Sequence, residues 1–405
     1  MFIHFFCYQL FYLKKESKEK RRKNMQSKFI RLLLVPLILL SGCVPNQVIE
    51  ELAVISARGI DFTDDGKLEK TMNIIRFDPQ SDEIYTTISG VSDTLKGARK
   101  NASFTTAYEL VEGQMNLEIF GKEVAQKGIA SYINTSVRDA LASETMKVMV
   151  SATTAKAIFN SDSPESQSLG NYFDVLIDKQ VSEGSLVPSS IHDFTRSTET
   201  IGQDGVMPLA GLENNTPTIM GLALFDKYQY VSDISLEQGL LLNLILNNLR
   251  ETPMEIHLPR SPFEKYIIKD NTLNKDDDEK DELSIQVIVI DGKSKTDVTD
   301  MKETSFKTNV KMEIELIETS ELLRIKDKKA ASILEKEVEK KIKKQYENLL
   351  KQVQEVNVDP FGYGKLYRAN KKDGKMKEEE WRKKFPEIKV NFNVNVRLSN
   401  YGSVQ

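Results

Sequence analysis

The sequence predicts an α+β chain of three consecutive units, and three observations carry that prediction. Ile388, Val390, Phe392, Val394, Val396 and Leu398 alternate with Lys389, Asn391, Asn393, Asn395 and Arg397, the period-two pattern of a strand with one buried and one wet face. Between Asp327 and Val356, the residues Ile333, Leu334, Val338, Ile342, Tyr346, Leu349, Val353 and Val356 recur mostly at three- and four-residue steps, the stripe of a long amphipathic helix. Strand-like and helix-like patterns alternate from Ala53 to Ala152. The 405 residues are enough for two to three domains of ordinary size, and the mixture of 40% hydrophobic with 29% charged residues excludes collagen-like, disordered and polytopic membrane classes.

Residues 1–42 read as a targeting region rather than as fold. Lys28 and Arg31 precede the apolar run Leu32 to Leu40, which is too short to span a bilayer and ends at Ser41-Gly42-Cys43. Met25 is the better translation start, because residues 1–24 sit awkwardly in front of this signal. The tetrapeptide Leu40-Ser41-Gly42-Cys43 resembles a bacterial lipobox, which implies cleavage before Cys43 and alkylation of its sulfur by diacylglycerol. Nine of the 56 basic and two of the 60 acidic residues precede Cys43, so the remainder carries a net charge of −11. So acidic a body is a poor fit to nucleic acid or to lying flat on an anionic membrane.

The first unit, residues 43–200, opens with a hairpin: Ala53 to Ile60 and Leu68 to Phe77 flank Asp64-Asp65-Gly66, a strong turn signal. The run Asp61-x-Thr63-x-Asp65-Gly66 superficially resembles a calcium loop, but Met72 stands where a bidentate glutamate is needed, so a turn is the better reading. A helix over Ser92 to Ala107, a strand over Gln114 to Phe120, helical patterning over Val124 to Ala142 broken at Gly128, and a strand over Lys147 to Ala152 follow. Tyr172, Phe173, Leu176, Ile177 and Val181 make one face of a helix, and the Ser-, Thr-, Gly- and Pro-rich stretch from Pro188 to Pro217 reads as a junction.

The second unit, residues 201–280, has strands over Thr218 to Phe225 and Tyr228 to Asp233, a helix over Leu236 to Leu249, a strand over Met254 to Leu258 and a solvated acidic loop from Asp276 to Glu282. The third, residues 281–405, has strands over Leu283 to Ile290 and Phe306 to Leu316, the long helix packing on them, and the alternating terminal strand. Asp359-Pro360 is expected to stop that helix, since a proline ring pushes the preceding residue out of the helical region.

Catalytic chemistry finds little support in these residues. Beyond Cys43 the chain holds only His192 and His257, which read as structural, and it has neither an HExxH motif nor a cysteine cluster for metal. Gly362-Tyr363-Gly364-Lys365 lacks the spacing of a phosphate-binding loop, and Phe361, Tyr363 and Tyr367 read as packing residues at a turn. No catalytic residue, metal or cofactor is therefore expected.

A set of ordered motifs then carries a resemblance. These are the lipobox at Cys43, Glu51-Leu52 to Arg58-Gly59-Ile60-Asp61, Gly113-Gln114, Phe120-Gly121-Lys122-Glu123, Ala125-x-x-Gly128-Ile129, Arg138-Asp139, His192-Asp193-Phe194, Gly221 to Phe225, Asp359-Pro360-Phe361-Gly362-Tyr363-Gly364 and Trp381. In order and spacing they resemble the Ger(x)C lipoproteins, the C subunits of nutrient germinant receptors in spore-forming bacteria. The resemblance implies three domains, each a mixed β-sheet flanked by helices, and a lipid-anchored, non-catalytic subunit on the outer face of the spore inner membrane. It also implies two integral-membrane partners, the A and B subunits, and no nucleic acid. Gly113, Gln114, Gly128, Arg138, Asp359, Phe361, Gly362 and Gly364 become candidate structural or interface positions, with Cys43 the lipidation site. The usual tryptophan-aspartate pair soon after the lipid cysteine is absent around Asn46 to Glu50. Direct small-molecule binding stays open, and the rival reading is a solute-binding lipoprotein of a transporter, with a ligand cleft between two lobes.

Overall fold

Gly66, at φ +81°, and a hydrogen bond from its N–H to the Thr63 carbonyl (2.8 Å) turn the chain between β1 (Leu52–Phe62) and β2 (Leu68–Arg76), the expected hairpin. The computed structural model describes residues 49–77, 84–138, 143, 145–161, 168–268 and 281–400. Cys43 and most of the acidic run from Asp276 lie outside them. After the hairpin come β3 (Tyr85–Ser92), α1 (Leu95–Ser103), β4 (Glu109–Phe120), α2 (Lys122–Lys127), α3 (Ala130–Arg138), β5 (Lys147–Ser151), α4 (Ala155–Phe159), α5 (Leu169–Ser182) and α6 (Ile191–Glu199). Next are β6 (Val206–Glu213), β7 (Thr216–Asp226), β8 (Gln229–Ser235), α7 (Leu236–Leu246) and β9 (Thr252–Pro259). The chain ends with β10 (Glu282–Asp300), β11 (Ser305–Thr319), α8 (Lys328–Glu355), α9 (Tyr363–Asn370), α10 (Glu378–Lys384) and β12 (Lys389–Asn400).

Among the described residues twelve strands make two mixed sheets, in accord with the α+β expectation. The first runs β3-β2-β1-β4-β5-β6-β7-β8, parallel across β1, β4, β5 and β6 and antiparallel at both ends. The second runs β12-β11-β10-β9, with β12 parallel to β11. Pairing crosses both boundaries expected from the sequence. Val150 and Ser151 of β5 register with Leu209 and Ala210 of β6 across residue 200, and Thr252–Pro259 registers with residues 282–289 across residue 280.

Two apolar cores hold these layers. On one face of the first sheet, Met72, Ile74, Phe120, Val148 and Met207 meet Val124 of α2, Ile133 of α3 and Phe194 of α6. The other core joins Leu117, Ile119, Leu222 and Leu224 to the second sheet through α7, whose Leu240, Leu241, Leu242 and Leu244 are all buried. A helix apolar around its circumference belongs inside a core, and truncating any one of these leucines to Ala costs about 2–5 kcal/mol. The stripe predicted for α8 faces the second sheet: Leu334, Val338, Ile342, Tyr346, Leu349 and Val353 are buried. Asp327 caps it, accepting from the Lys329 N–H at 2.7 Å.

Three local features differ from the sequence reading. The helix α8 ends at Glu355 because Asn357 turns left-handed (φ +54°), two residues before Asp359-Pro360. The stretch read as a junction contains α6 and β6; the Ser190–Asp193 capping box starts the helix despite the turn-forming residues around it. The turn at Phe361 to Tyr367 is one end of a helix, α9, which starts after Gly362.

Candidate functional site

The motif Asp359 to Gly364 leads from α8 into α9, and the structure makes it the centre of a buried polar latch. Asp359 is 1% exposed, and its carboxylate accepts three hydrogen bonds: from the N–H groups of Gly362 and Gly364, both 2.9 Å, and from Trp381 Nε1 at 3.0 Å. Gly362 is left-handed (φ +76°), which folds the backbone back so that its N–H and that of Gly364 converge on one side chain. Burial is the main influence on Asp359 and raises its pKa to about 7; the neighbouring Asp204 adds to this and the N–H donors oppose it.

The latch reaches into the first sheet's part of the chain. The Asp359 N–H donates to Asp204 Oδ2 at 2.7 Å, and the Asp204 N–H donates to the Asp359 carbonyl at 2.9 Å. Arg382 of α10 clasps both oxygens of Asp204, donates to the Asn357 carbonyl and pairs with Asp226 (2.8 Å) and Glu378 (3.3 Å). Burial raises the Asp204 pKa, with the Arg382 guanidinium opposing. Beside this cluster the backbones of the loop before β6 and of α9 nearly touch, and the Lys365 N–H donates to the Gly202 carbonyl at 2.9 Å. A methyl group on Gly364 would stand 2.5 Å from the Trp381 ring and 2.6 Å from Gly202 Cα.

Aromatic rings close the other side. Tyr363 lies 5.1 Å from Phe306 and 5.5 Å from Phe361, and its hydroxyl meets Thr308 Oγ1 at 3.2 Å. Trp381 stands edge-on to Phe306 at 6.4 Å, and Phe361, Tyr363, Trp381 and Phe385 are all buried. Chemically the arrangement centres on the Asp359 and Asp204 carboxylates, all four of whose oxygens accept hydrogen bonds, in a packed environment. It fixes the relation of one chain segment to another.

The remaining sequence-derived positions lie apart from this latch. Ile55 stands opposite Glu112 and Ala57 opposite Leu117, so residues 113–116, including Gly113 and Gln114, bulge from β4, and a methyl group on Gly113 would meet open space. Gly128 (φ +107°) separates α2 from α3, and Arg138 is exposed at the end of α3. Asp61, weighed above against a calcium loop, caps α4 instead, accepting from the N–H groups of Ala155 and Lys156 at 2.8 Å each. His257 Nδ1 contacts Ser284 Oγ at 2.8 Å on an exposed strand face. Sequence reasoning missed Gly202, Asp204, Asp226 and Arg382; the one available signal was that Arg382 adjoins the quoted Trp381.

Comparison with known proteins agrees with this architecture. The fold is that of the crystal structure of the GerBC protein, matched with a TM-score of 0.52 over 84% of this chain and 96% of that one at 14% identity. A model of the spore germination protein N-terminal domain matches residues 45–212, and one of the spore germination B3/GerAC-like C-terminal domain matches residues 220–402. The chain belongs to this Ger(x)C family of spore germination proteins. A relative, spore germination protein GerQC of Bacillus cereus, is 19% identical over 371 residues, covering 92% of this chain and 98% of its own.

Proposed function

We propose that this chain is the lipid-anchored, non-catalytic C subunit of a nutrient germinant receptor. In this reading it is held through Cys43 on the extracytoplasmic face of the spore inner membrane, beside the integral-membrane A and B subunits. The observation that carries the reading is the span of family sequence, which starts at residue 45, two positions after the lipobox cysteine, and continues to residue 402. Among the described residues no helix is long and apolar enough to cross a membrane. In this reading attachment is through acyl chains on Cys43, and two or more at about 0.8 kcal/mol per buried methylene give stable anchoring where one does not. The latch at Asp359, with the tightly packed glycines beside it, supports a scaffold that presents fixed surfaces to its partners. Gly113 and Gln114 on the β4 bulge and Arg138 at the end of α3 are proposed interface positions, while Gly128, Asp359, Phe361, Gly362 and Gly364 are proposed to be structural. Replacing Cys43 by Ala should release the protein from membranes and impair nutrient-triggered germination. Normal membrane retention together with a normal nutrient response in that mutant would overturn the proposal.

A further inference from the structure

A cavity of about 960 Å³ lies away from the latch, in the part of the fold built by α1, β2 and β4. Such a space admits a ligand of a few tens of atoms. Its lining is cationic. Arg58, Lys70, Lys96, Arg99 and Lys100 stand against Glu109 and Glu112 of the lining and the buried Glu118, which pairs with Arg58 at 2.9 Å, so cations outnumber carboxylates in a chain that carries −11 from Cys43 onward. A concave positive site in an otherwise acidic body focuses the field on an anion.

The cations are held at different depths. Lys70, 5% exposed at its side chain, has Nζ 3.8 Å from Glu112, and burial lowers its pKa to about 8. Arg99 places Nε 3.3 Å from the same carboxylate without forming a hydrogen bond through that buried nitrogen, while its Nη2 donates to the Leu110 carbonyl at 2.7 Å. Glu112 thus lies close to two cations, with the buried Glu118 also acting on Lys70. Lys96 and Lys100, one helical turn apart on α1, are exposed and add charge from the same side. Phe104, 74% exposed, and Tyr108 supply an apolar rim beside them. An excess of cations including a forked guanidinium suits a tetrahedral phosphate, mono- or diester, better than a single carboxylate.

We propose that this cavity binds the phosphate of an organic phosphate, whether a lipid headgroup or a soluble compound. The phosphate sits between Lys70 and Arg99, with the α1 lysines drawing it in and Phe104 contacting its organic part. The inference stands independently of the anchoring at Cys43. It is tested by calorimetric titration of the purified full-length chain in detergent micelles with glycerol 3-phosphate and with the soluble short-chain lipid dihexanoyl phosphatidylglycerol, using glycerol as the uncharged control. Binding of either probe but not of glycerol is expected. The double substitution Lys96→Glu and Lys100→Glu, on an exposed helix face where folding is undisturbed, should weaken it roughly tenfold. Lys70→Gln should weaken it further, with circular dichroism confirming the fold. Preference for the short-chain lipid, lost on Phe104→Ala, assigns the headgroup; equal or better binding of glycerol phosphate assigns the soluble compound. Failure of both probes to bind, or binding indifferent to the charge reversal, would overturn the proposal.

Discussion

Asp359 illustrates how one side chain can set a local geometry. Its two oxygens accept from three N–H donors, so Asp359→Asn would turn an amide NH2 toward donors already there and leave a buried group unsatisfied, costing about 1–3 kcal/mol. The pH dependence has a definite sign. Since the folded-state pKa is raised from 3.8 to about 7, the native state holds more protons than the unfolded chain between those values. The stability this group contributes is therefore complete below its unfolded pKa and is lost as pH rises through about 7, with a slope of at most about 1.4 kcal/mol per pH unit. Asp204, also raised, acts in the same direction. Urea unfolding of wild type and Asp359→Asn across this window should show a shallower decline in the mutant; identical slopes would refute the assignment. Two motif glycines make a matched contrast. Gly364→Ala drives a methyl group into the Trp381 ring and Gly202, whereas Gly113→Ala meets nothing within 4 Å. Thermal denaturation should show a loss of about 2 kcal/mol or more for the first and a change within about 0.5 kcal/mol for the second.

At the level of elements, legibility followed periodicity. The alternation of β12 and the stripe of α8 are visible because one face of each is buried, and Phe392, Val396 and Leu398 are buried as the pattern requires. Elements without that contrast were missed. β3 is mostly half-buried and shows no clear period-two contrast, and β6 carries Pro208 in its interior, a residue that argues against a strand until its partners are known. The same logic applies to the latch. Asp359, Gly362 and Gly364 are contiguous and readable as a motif, but Asp204 lies 155 residues before Asp359, and no local pattern marks it. What joins α8 to the rest is equally nonlocal: the Tyr346 hydroxyl donates to the Leu241 carbonyl of α7 at 3.0 Å, and its ring stacks on Phe392 at 5.0 Å. Tyr346→Phe keeps the stack and removes the donor, so it should cost about 1–2 kcal/mol, whereas Tyr346→Ala should cost about 3–5 kcal/mol. Equal losses in chemical denaturation would mean that the stack contributes nothing.

Across the whole molecule, segments distant in sequence are held together by strand pairing, core and latch acting at separate places. The first sheet is narrowest where β5 meets β6, with two registered pairs, Val150 with Leu209 and Ser151 with Ala210. The apolar core running through α7 and the Asp204–Arg382–Asp359 latch bridge the same parts of the chain independently of that ladder. The second sheet binds β9 to β10 through eight registered pairs, Thr252 with Val289 through Pro259 with Glu282, so the strands on either side of residues 269–280 are joined directly. Continuity of the backbone through those residues then contributes only loop-closure entropy to holding the molecule together, a term that grows slowly with loop length. A protease site inserted between residues 269 and 280 and cleaved in the folded protein should therefore leave two fragments that co-elute on size exclusion and separate only in denaturant. Fragments that part under native conditions would show that the β9–β10 ladder, the shared core and the latch together are weaker than the covalent connection they are argued to make dispensable.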